Sequence, residues 1–564
     1  MSKTTTDAAP AAPHYTDEKM QSESERVEQL ILQAELATKS QHKMTLFQGL
    51  RQYPKACFWS MMISVAVIME AFDMVLTGNF YAYPSFRKRF GEMHIDKNGE
   101  VDYQIPARWM AGLGNAAGVT AIIGVILNGW IAERFGYRRT MLVTLIWMCG
   151  VFFLFFFANS LGMLLAAQFL VGFAWGIFQT LTTTYAAEVA PLPLRGILTT
   201  WVNACWGIGQ LIGIGMLRGL LRRTDDWGWR IPYAVQWVWP IPLILTAIFA
   251  PESPWWLVRR GRPEEARRSL QRLYSGDQQE EVNNALAMIE HTIAMERQAT
   301  AGASYKELFR GTNLRRTEIV CGAWAVQQMC GSSLMGSATY FLEQAGFSPE
   351  NAFSMTMGQY AINTGGTFIS WVLIGMGIGR RSMYLYGCVW MCAVLIIIGG
   401  VSTINTTASS WAVGCMLLIW SVCYQFTVGT VCYSLVAELP SRRLAIKTIN
   451  LGRGFYNVVG VINGSYSSYM LNPTAWNWGG KTAFYWAGTC SLCILWIYFR
   501  LPEPKGLTFH ELNARFVAKV PARKFQSVDI DVFERNDNTI AGVHDAIDKQ
   551  DVEREHIENN TTKA

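Results

Sequence analysis

The chain has 564 residues, of which 51% are hydrophobic and 16% are charged, and its formal net charge is +6. Average soluble proteins carry roughly 25% charged residues, so this composition excludes an ordinary soluble domain. Several apolar runs, such as 141–158 and 231–250, approach or reach the roughly 20 residues that a membrane-spanning helix needs. The arginines stand at the ends of these runs, which argues against a nucleic-acid partner.

Twelve apolar segments follow one another along the chain, and a bilayer forces each into a helix because lipid offers no partner for backbone amides. We place them at 57–80, 107–131, 140–158, 161–190, 196–221, 231–250, 316–341, 355–378, 382–401, 411–437, 447–471 and 482–500. The prediction is an all-α membrane protein with two six-helix halves. Its parts are a tail over 1–50, halves over 51–250 and 316–501, a linker with short helices over 251–315 and a tail over 502–564.

Arginine-rich loops mark one side of the predicted membrane. The positive-inside rule places these loops in the cytoplasm, and an even number of spans puts both termini there as well. Apolar residues at helical spacing predict a short helix over 22–37 in the first tail. The sequon at Asn405 would lie outside the cell, and its glycosylation stays open.

A charged signature occurs twice in the chain. Gly136-Tyr137-Arg138-Arg139 is followed by Glu188, and Gly379-Arg380-Arg381 is followed by Glu438. The step from Arg138 to Arg380 is 242 residues and that from Glu188 to Glu438 is 250, so whole halves repeat. Such a repeat is typical of an alternating-access transporter.

We predict that these charges form a gate that closes the cytoplasmic side. Its members are Arg134, Arg138, Arg139, Glu188, Arg195, Arg380, Arg381 and Glu438. The copies differ, because Arg195 follows Glu188 by seven residues whereas Ala445 follows Glu438 at the same distance. The second copy must therefore use Arg442, Arg443 or Lys447.

Two carboxylates lie deep in a predicted span, Glu70 and Asp73, and their spacing puts them on one helix face. An ionisable group at mid-membrane marks a pathway or a proton relay by default. Packing as neutral, hydrogen-bonded acids is the alternative. Arg453 is the matching cation, and it either pairs with one of these acids across the halves or extends to the interface.

Uncharged polar residues in the spans suit a neutral ligand with many hydroxyl groups, because amides both donate and accept hydrogen bonds. The candidate substrate-binding residues are Asn203, Gln210, Gln327, Gln328, Ser333 and Tyr433. For an aromatic such as Tyr433, packing or lipid contact is the alternative to stacking on a sugar ring. Gly172/Gly176 and Gly209/Gly213 have the spacing of close helix packing.

We expect neither a cofactor nor a metal site, and no enzyme activity. All seven histidines lie outside the predicted spans, and the Cys490/Cys493 pair sits in an apolar helix without a second pair. The chain shows no nucleophile–base set. The expected partners are a small sugar, protons and the bilayer.

Five motifs in this order resemble the sugar porter family of the major facilitator superfamily. They are Glu133–Arg139, Glu188–Pro191 with Arg195, Pro251–Leu257, Gly379–Arg381 and Pro502–Gly506. Within that family the chain is most similar to fungal α-glucoside, or maltose-type, permeases. This second likeness is carried by Gln168–Gln179, Gln236–Pro242, Thr339–Phe341 with Ala345-Gly346, Asn472–Trp478 and Ala522–Phe525.

The resemblance implies proton symport of disaccharides such as maltose, sucrose or trehalose across the plasma membrane. It places Asp73 where proton-coupled sugar porters keep an acid. It places the sugar contacts at Asn203, Gln210, Gln327, Gln328 and Tyr433.

The chain departs from the family pattern at several positions. Ala121 stands where these permeases usually have glutamate, Gln425 replaces an aspartate, Thr430 replaces a proline, and Ser333 stands where hexose porters often have asparagine. Two intramembrane acids are thus missing. Proton-coupled transport is the leading hypothesis, and a sugar receptor with weak or absent transport and an uncoupled sugar facilitator remain alternatives.

Overall fold

The computed structural model describes residues 46–95, 101–189, 192–274, 279–300, 305–375, 378–404, 406–441, 444–505 and 509–526. The predicted helix over 22–37, the sequon at Asn405 and the chain beyond 526 lie outside these residues. Of Asn203, Arg195 and Ala445 the backbone alone is described.

The N-terminal half is a bundle of helices, some long enough to span a bilayer and some short. They are α1 (Leu46–Gln52), α2 (Pro54–Phe80), α3 (Pro84–Phe90), α4 (Ala107–Phe135), α5 (Tyr137–Phe156), α6 (Leu161–Val189), α7 (Leu192–Leu220), α8 (Trp227–Val235) and α9 (Pro240–Phe249). The sixth predicted span is split into α8 and α9 by a 3₁₀ turn, Gln236–Val238. Pro240 at the start of α9 supplies the physical reason, since proline cannot donate the next backbone hydrogen bond.

Short helices follow between the halves: α10 (Pro254–Arg259), α11 (Pro263–Leu273) and α12 (Gln279–Thr300). Helix α11 begins at Pro263 with Glu264 and Glu265 in its first turn, residue types that favour a helix N-terminus. Ser253 caps α10 by accepting the backbone N–H of Trp256.

The C-terminal half repeats the bundle. Its helices are α13 (Gly311–Gln327), α14 (Ser333–Gly336), α15 (Ala338–Gln344), α16 (Pro349–Gly375), α17 (Arg380–Val401), α18 (Thr407–Tyr424), α19 (Thr430–Glu438), α20 (Ala445–Leu471) and α21 (Thr482–Arg500). A last helix, α22 (Phe509–Val517), packs on the start of α13, where Arg316 donates to Asn513 at 2.8 Å.

The repeated arginine motifs begin α5 and α17 at the same end of the bundle, here called the motif end; the opposite end is the far end. A hairpin at the far end adds two strands to the helical fold. Strand β1 (Glu92–Ile95) pairs antiparallel with β2 (Val101–Gln104). Helix α3 folds back on α2, with the rings of Phe80 and Phe86 stacked at 4.9 Å.

Among the described residues, eight helical segments are long and apolar enough to cross a membrane. The four other predicted spans coincide with α7, with α13–α15, with α16 and with α20. These segments carry amides such as Gln210, Gln327 and Gln359. They also contact the other half: α7 packs on α16 and α20 on α4. Segments that face an interior need less apolar surface than lipid-facing helices, so the twelve-helix fold is retained.

Two predicted spans besides the sixth are interrupted. In the seventh, a π turn over Gln328–Ser332 separates α13 from α14, and Gly331 has φ 104°, a conformation that favours glycine. In the tenth, a π turn over Gln425–Gly429 separates α18 from α19. Hydropathy alone predicts continuous helices here, because it does not register a local change in hydrogen-bond pattern.

The glycine pairs allow the close helix contacts that their spacing predicts. A side chain at Gly172 or Gly176 of α6 would overlap the carbonyl oxygens of Ala117 and Ala121 in α4. A side chain at Gly209 of α7 would overlap the carbonyl of Ile68 in α2. The predicted packing role is confirmed.

We expect Gly124→Ala to lower the thermal stability of the detergent-solubilised protein. The added methyl would overlap the carbonyl of Phe173, and overpacking costs about 1–3 kcal/mol. Gly129→Ala, on the same helix with open space around it, is the matched control. It should be neutral or stabilising because alanine is the better helix former. Equal melting temperatures for both variants would contradict the packing.

Candidate functional site: buried acids between two charged ends

The two deep carboxylates lie on α2 and are fully buried. Glu70 accepts a hydrogen bond at Oε1 from the Gln179 amide of α6, and Asp73 accepts one at Oδ1 from the Gln236 amide, each at 2.6 Å. The second oxygen of each acid is also buried and has no partner among the described residues. Each acid therefore binds a different helical segment and keeps one open acceptor.

Arg453 of α20 lies inside the C-terminal half, against aromatic rings. Its guanidinium is 4.8 Å from the ring centre of Trp324 and 4.5 Å from that of Tyr456. Within the described part of the chain no carboxylate is within 4 Å of Arg453, and its interaction with Glu70 acts over a longer distance. Of the two acids, Glu70 is the one that interacts with Arg453 across the halves.

The candidate substrate residues fall into different environments. Gln327 is buried and donates to the backbone carbonyls of Val428 and Gly429, at 3.3 and 2.9 Å. Gln328 accepts a hydrogen bond from Ser332 at 3.3 Å. The Tyr433 ring is half exposed and lies 5.0 Å from Trp324.

Gln210 and Ser333 are partly buried, and neither makes a side-chain hydrogen bond within the described residues. The side chain of Asn203 lies outside the described residues.

Gln359 of α16 was missed by the sequence analysis. It is 1% exposed, and both its amide atoms are buried without a hydrogen-bond partner among the described residues. The available signal was an amide inside the eighth predicted span. Gln179 and Gln236 were noted for resemblance alone, since nothing in the sequence shows which acid they bind.

At the motif end, two glutamates hold the N-termini of equivalent helices. Glu252 accepts the backbone N–H groups of Tyr137 and Arg138 at the start of α5, at 2.9 and 3.2 Å. Glu503 accepts those of Arg380 and Arg381 at the start of α17, at 2.9 and 3.0 Å. Free N–H groups and the helix dipole both favour an anion there.

Burial raises the pKa of Glu252, against the lowering effect of its bonds to backbone N–H groups. The two contacts are the structural basis of the repeated signature.

Glu438 binds within its own half, whereas Glu188 also binds residues of the linker that follows its half. Glu188 forms an ion pair with Arg259 of α10 and accepts hydrogen bonds from Tyr137 and Ser253. Glu438 pairs with Arg380 at 3.0 Å and accepts from Ser434 at 2.8 Å.

The structure describes the side chains of only some of the other gate residues. Arg195 as a side chain, and Arg442 and Arg443 entirely, lie outside the described residues. Arg134 and Arg139 are exposed at the motif end.

At the far end, charged and polar side chains join the two halves. Arg87 of α3 donates to Glu343 of α15 at 2.6 Å and lies 3.5 Å from Asp102 of β2. Arg87 and Glu343 are 7% and 12% exposed, so the pair is buried. Arg218 of α7 donates to Ser354 of α16 at 3.0 Å. The far end is therefore closed by direct bonds between the halves.

These features define a multi-pass membrane transporter with polar groups enclosed between two helical halves. The chain matches the family model described as "Sugar (and other) transporter" over residues 59–516. The protein belongs to this family.

The chain is also similar to individual members. A general alpha-glucoside permease of Saccharomyces cerevisiae is 40% identical over 503 residues, 88% of this chain and 81% of that one. Maltose permease MAL31 of the same yeast is 38% identical over 547 residues, 96% of this chain and 87% of that one. The resemblance to α-glucoside permeases is thereby confirmed, and these relatives are permeases and not enzymes.

Solved structures show the same fold. The xylose transporter XylE of Escherichia coli in an inward open conformation aligns with a TM-score of 0.65 at 18% identity, over 81% of this chain and 98% of that one. The proton:xylose symporter XylE bound to 6-bromo-6-deoxy-D-glucose aligns with a TM-score of 0.63 at 19% identity, over 82% and 100%. The predicted major facilitator fold is confirmed.

We expect Arg87→Met and Glu343→Gln each to destabilise the protein. Arg87→Met leaves the buried Glu343 without its cation, at a cost of about 3–5 kcal/mol. Glu343→Gln should cost less, because Arg87 keeps its 3.5 Å contact with Asp102. The double variant should lose less than the sum of the two. The measurement is a double-mutant cycle by thermal unfolding in detergent.

The exposed pair Arg223–Asp225, at 3.0 Å and about half exposed, is the control. Its cycle should show a coupling below about 1 kcal/mol. Additive effects at Arg87 and Glu343 would show that this ion pair does not hold the far end closed.

Proposed function

We propose that the protein imports α-glucoside disaccharides of the maltose, sucrose and trehalose class together with protons. The halves over 51–250 and 316–501 would rock about a site between them. The named activities of the similar yeast permeases support the substrate class. XylE, which has the same fold, is a proton:xylose symporter, and this supports the proton as the coupled ion.

The pair of buried acids carries the proposal of proton coupling. Glu70 and Asp73 each have one oxygen bonded to an amide and one buried oxygen without a partner among the described residues. An ionised carboxylate in such a place is costly, and binding a proton removes its charge. Opening of the site to water would restore ionisation and release the proton. Glu70 interacts with Arg453, which links the acid of one half to the other half.

The sugar would bind to amide and hydroxyl groups from both halves. Gln210 in the N-terminal half, and Ser333 and Gln359 in the C-terminal half, make no side-chain hydrogen bond within the described residues. Such groups can exchange bonds with sugar hydroxyls without breaking protein contacts. Gln327, Gln328, Asn203 and Tyr433 complete the proposed site.

The motif end would face the cytoplasm of a plasma-membrane protein with both termini inside. Arginines concentrate over 259–262, in α11 and at the starts of α5 and α17, as the positive-inside rule requires. The bonds of Arg87 and Arg218 then close the outer side. In the outward-facing state, the gate arginines and glutamates would close the inner side instead.

We expect labelled maltose to accumulate in a transporter-deficient host that expresses the protein, and a protonophore to abolish the accumulation. Asp73→Asn should reduce accumulation at least about tenfold, while exchange of labelled for unlabelled sugar persists, because the amide cannot carry a proton. Sucrose, trehalose, cellobiose and lactose define the substrate range in the same assay.

The exposed Asp225→Asn, which makes the same chemical change at the far end, is the control. If Asp73→Asn accumulated maltose to the wild-type level, the proposed coupling role of Asp73 would be wrong. Uptake that is insensitive to the protonophore would identify a facilitator, and binding without uptake would identify a receptor.

A second test concerns Gln359. Its buried amide has no partner in the part of the chain that the structure describes, so replacing it by leucine should leave the sugar-free protein equally or more stable. If Gln359 binds sugar, Gln359→Leu also raises the KM for maltose by about tenfold or more, because a hydrogen bond is lost. Gln327→Leu is the comparison: its amide holds Val428 and Gly429, so it should lower stability. An unchanged KM in Gln359→Leu would remove this residue from the site.

A further inference from the structure

A cavity at the motif end lies beside the proposed gate, between a span and the linker. Its volume is about 490 Å³, and it opens between the end of α4 and helix α10. Its lining residues are Trp130, Glu133, Arg134, Trp256, Arg259 and Arg260. Arg259 is paired with Glu188, and the two other arginines outnumber the single glutamate. The cavity is therefore basic, and two tryptophans form its aromatic walls.

The same local arrangement builds both walls. Arg134 follows Trp130 by four residues on α4, and Arg260 follows Trp256 by four at the end of α10, so each guanidinium lies over the preceding ring. The distances to the ring centres are 5.4 and 5.9 Å. This contact pre-orients the two cations toward a common space.

The cavity is held in place by the last turn of α4. The carbonyl oxygen of Glu133 accepts hydrogen bonds from Trp256 Nε1 at 2.8 Å and from Arg260 Nη2 at 2.8 Å. This carbonyl belongs to the helix end, where no intrahelical donor is available. Trp256 within α10 and Arg260 at its C-terminal cap therefore tie the linker to the end of a membrane span.

Arg134 gives the cavity an uncompensated cation. It contacts the rings of Trp130 and Phe135, and in the described part of the chain it has no hydrogen-bond or ion-pair partner. Trp130 lines the cavity and is 57% exposed. An exposed tryptophan beside an unpaired arginine at the end of a span is typical of the membrane interface.

The length of α4 puts the cavity at headgroup depth. Its 29 residues extend about 44 Å at 1.5 Å per residue, whereas the hydrocarbon core is about 30 Å thick. Helix α4 is therefore longer than the hydrocarbon is thick, and the exposed charges of Glu133 and Arg134 indicate that its last turn projects beyond the hydrocarbon. The phosphates of the lipids lie at this level.

We propose that this cavity binds the phosphate-bearing headgroup of an anionic phospholipid. The arginines bind the phosphate oxygens, and Trp130 packs against the glycerol and the upper acyl chains. Basic pockets between spans on the cytoplasmic side suit anionic headgroups. The choice of leaflet rests on the proposed orientation, whereas the binding itself does not.

A second cavity at the motif end has the same chemistry. It has a volume of about 510 Å³ and combines Lys55 and Arg272 with the rings of Phe58 and Trp59. Phe58 is 54% exposed, so this cavity too opens beside the lipid-facing surface. Because the combination of basic and aromatic residues recurs at the start of α2, a lipid is favoured over a soluble ligand.

The test measures binding of dioctanoyl phosphatidylinositol 4-phosphate to the purified full chain in detergent. Dioctanoyl phosphatidylcholine, inositol 1,4-bisphosphate and inorganic phosphate are the comparison ligands. We expect the wild type to prefer the anionic lipid, and Arg260→Gln to weaken its binding about fivefold, the effect of one basic residue near an anionic headgroup. Arg262→Gln makes the same charge change outside the cavity and should leave the Kd unchanged within about twofold.

Trp130→Leu provides a second variant that keeps every charge and changes an exposed side chain. It should weaken binding of the anionic lipid and leave the weak binding of inorganic phosphate unaltered. Equal lipid affinity in Arg260→Gln and wild type would overturn the proposal. So would binding of inositol 1,4-bisphosphate as tight as that of the lipid, which would identify a soluble anion as the ligand. Sugar uptake does not enter this test, so its outcome is separate from that of the proposed function.

Discussion

The absence of water from the bilayer interior is the constraint on which this structure depends. It forces the backbone into helices, and it makes every polar side chain inside the bundle find a protein partner or remain available for a ligand. Glu70 and Asp73 each combine the two outcomes. One carboxylate oxygen accepts a hydrogen bond, from Gln179 in Glu70 and from Gln236 in Asp73, and the other oxygen is buried without a partner among the described residues. The same incompleteness that would be costly in a static core is what allows a group to bind and release a proton.

The two halves repeat a contact as well as a sequence motif. Glu252 and Glu503 each bind the first N–H groups of a helix that begins with a glycine-arginine motif. The gate acids then differ, because Glu188 takes Arg259 from the helix after its half whereas Glu438 takes Arg380 from its own motif. Among the described residues, the charges of the motif end are held within a half or between a half and the linker, whereas the far end joins the two halves through Arg87 and Glu343. An arrangement with bonds between the halves at one end is what a two-state carrier needs, since breaking one set permits the other.

Part of this site could be predicted from the sequence because a residue type that is unusual for its segment can be recognised without a structure. A carboxylate inside an apolar run is visible by composition alone, as Glu70 and Asp73 were, and a glycine pair at a spacing of four predicts helix contact, as Gly172 and Gly176 do. Partners are not visible in this way. Gln179 and Gln236 resemble many amides in the chain, and their role comes from reaching an acid more than 100 residues away. Gln359 is distinguished by the lack of a hydrogen-bond partner among the described residues, and this is visible only when the surrounding side chains are placed.

By itself the sequence determined the membrane class, the twelve spans, the duplicated halves and the family, because each depends on hydropathy and motif spacing along the chain. The tertiary structure alone decided where the helices break, which charges meet and where cavities form. Gly331 interrupts a span, the hairpin supplies Asp102 to Arg87, and α10 meets α4 to enclose a basic cavity. The physical reason is distance: hydropathy is additive along the chain, whereas an ion pair or a cavity depends on groups that only packing brings within a few ångströms.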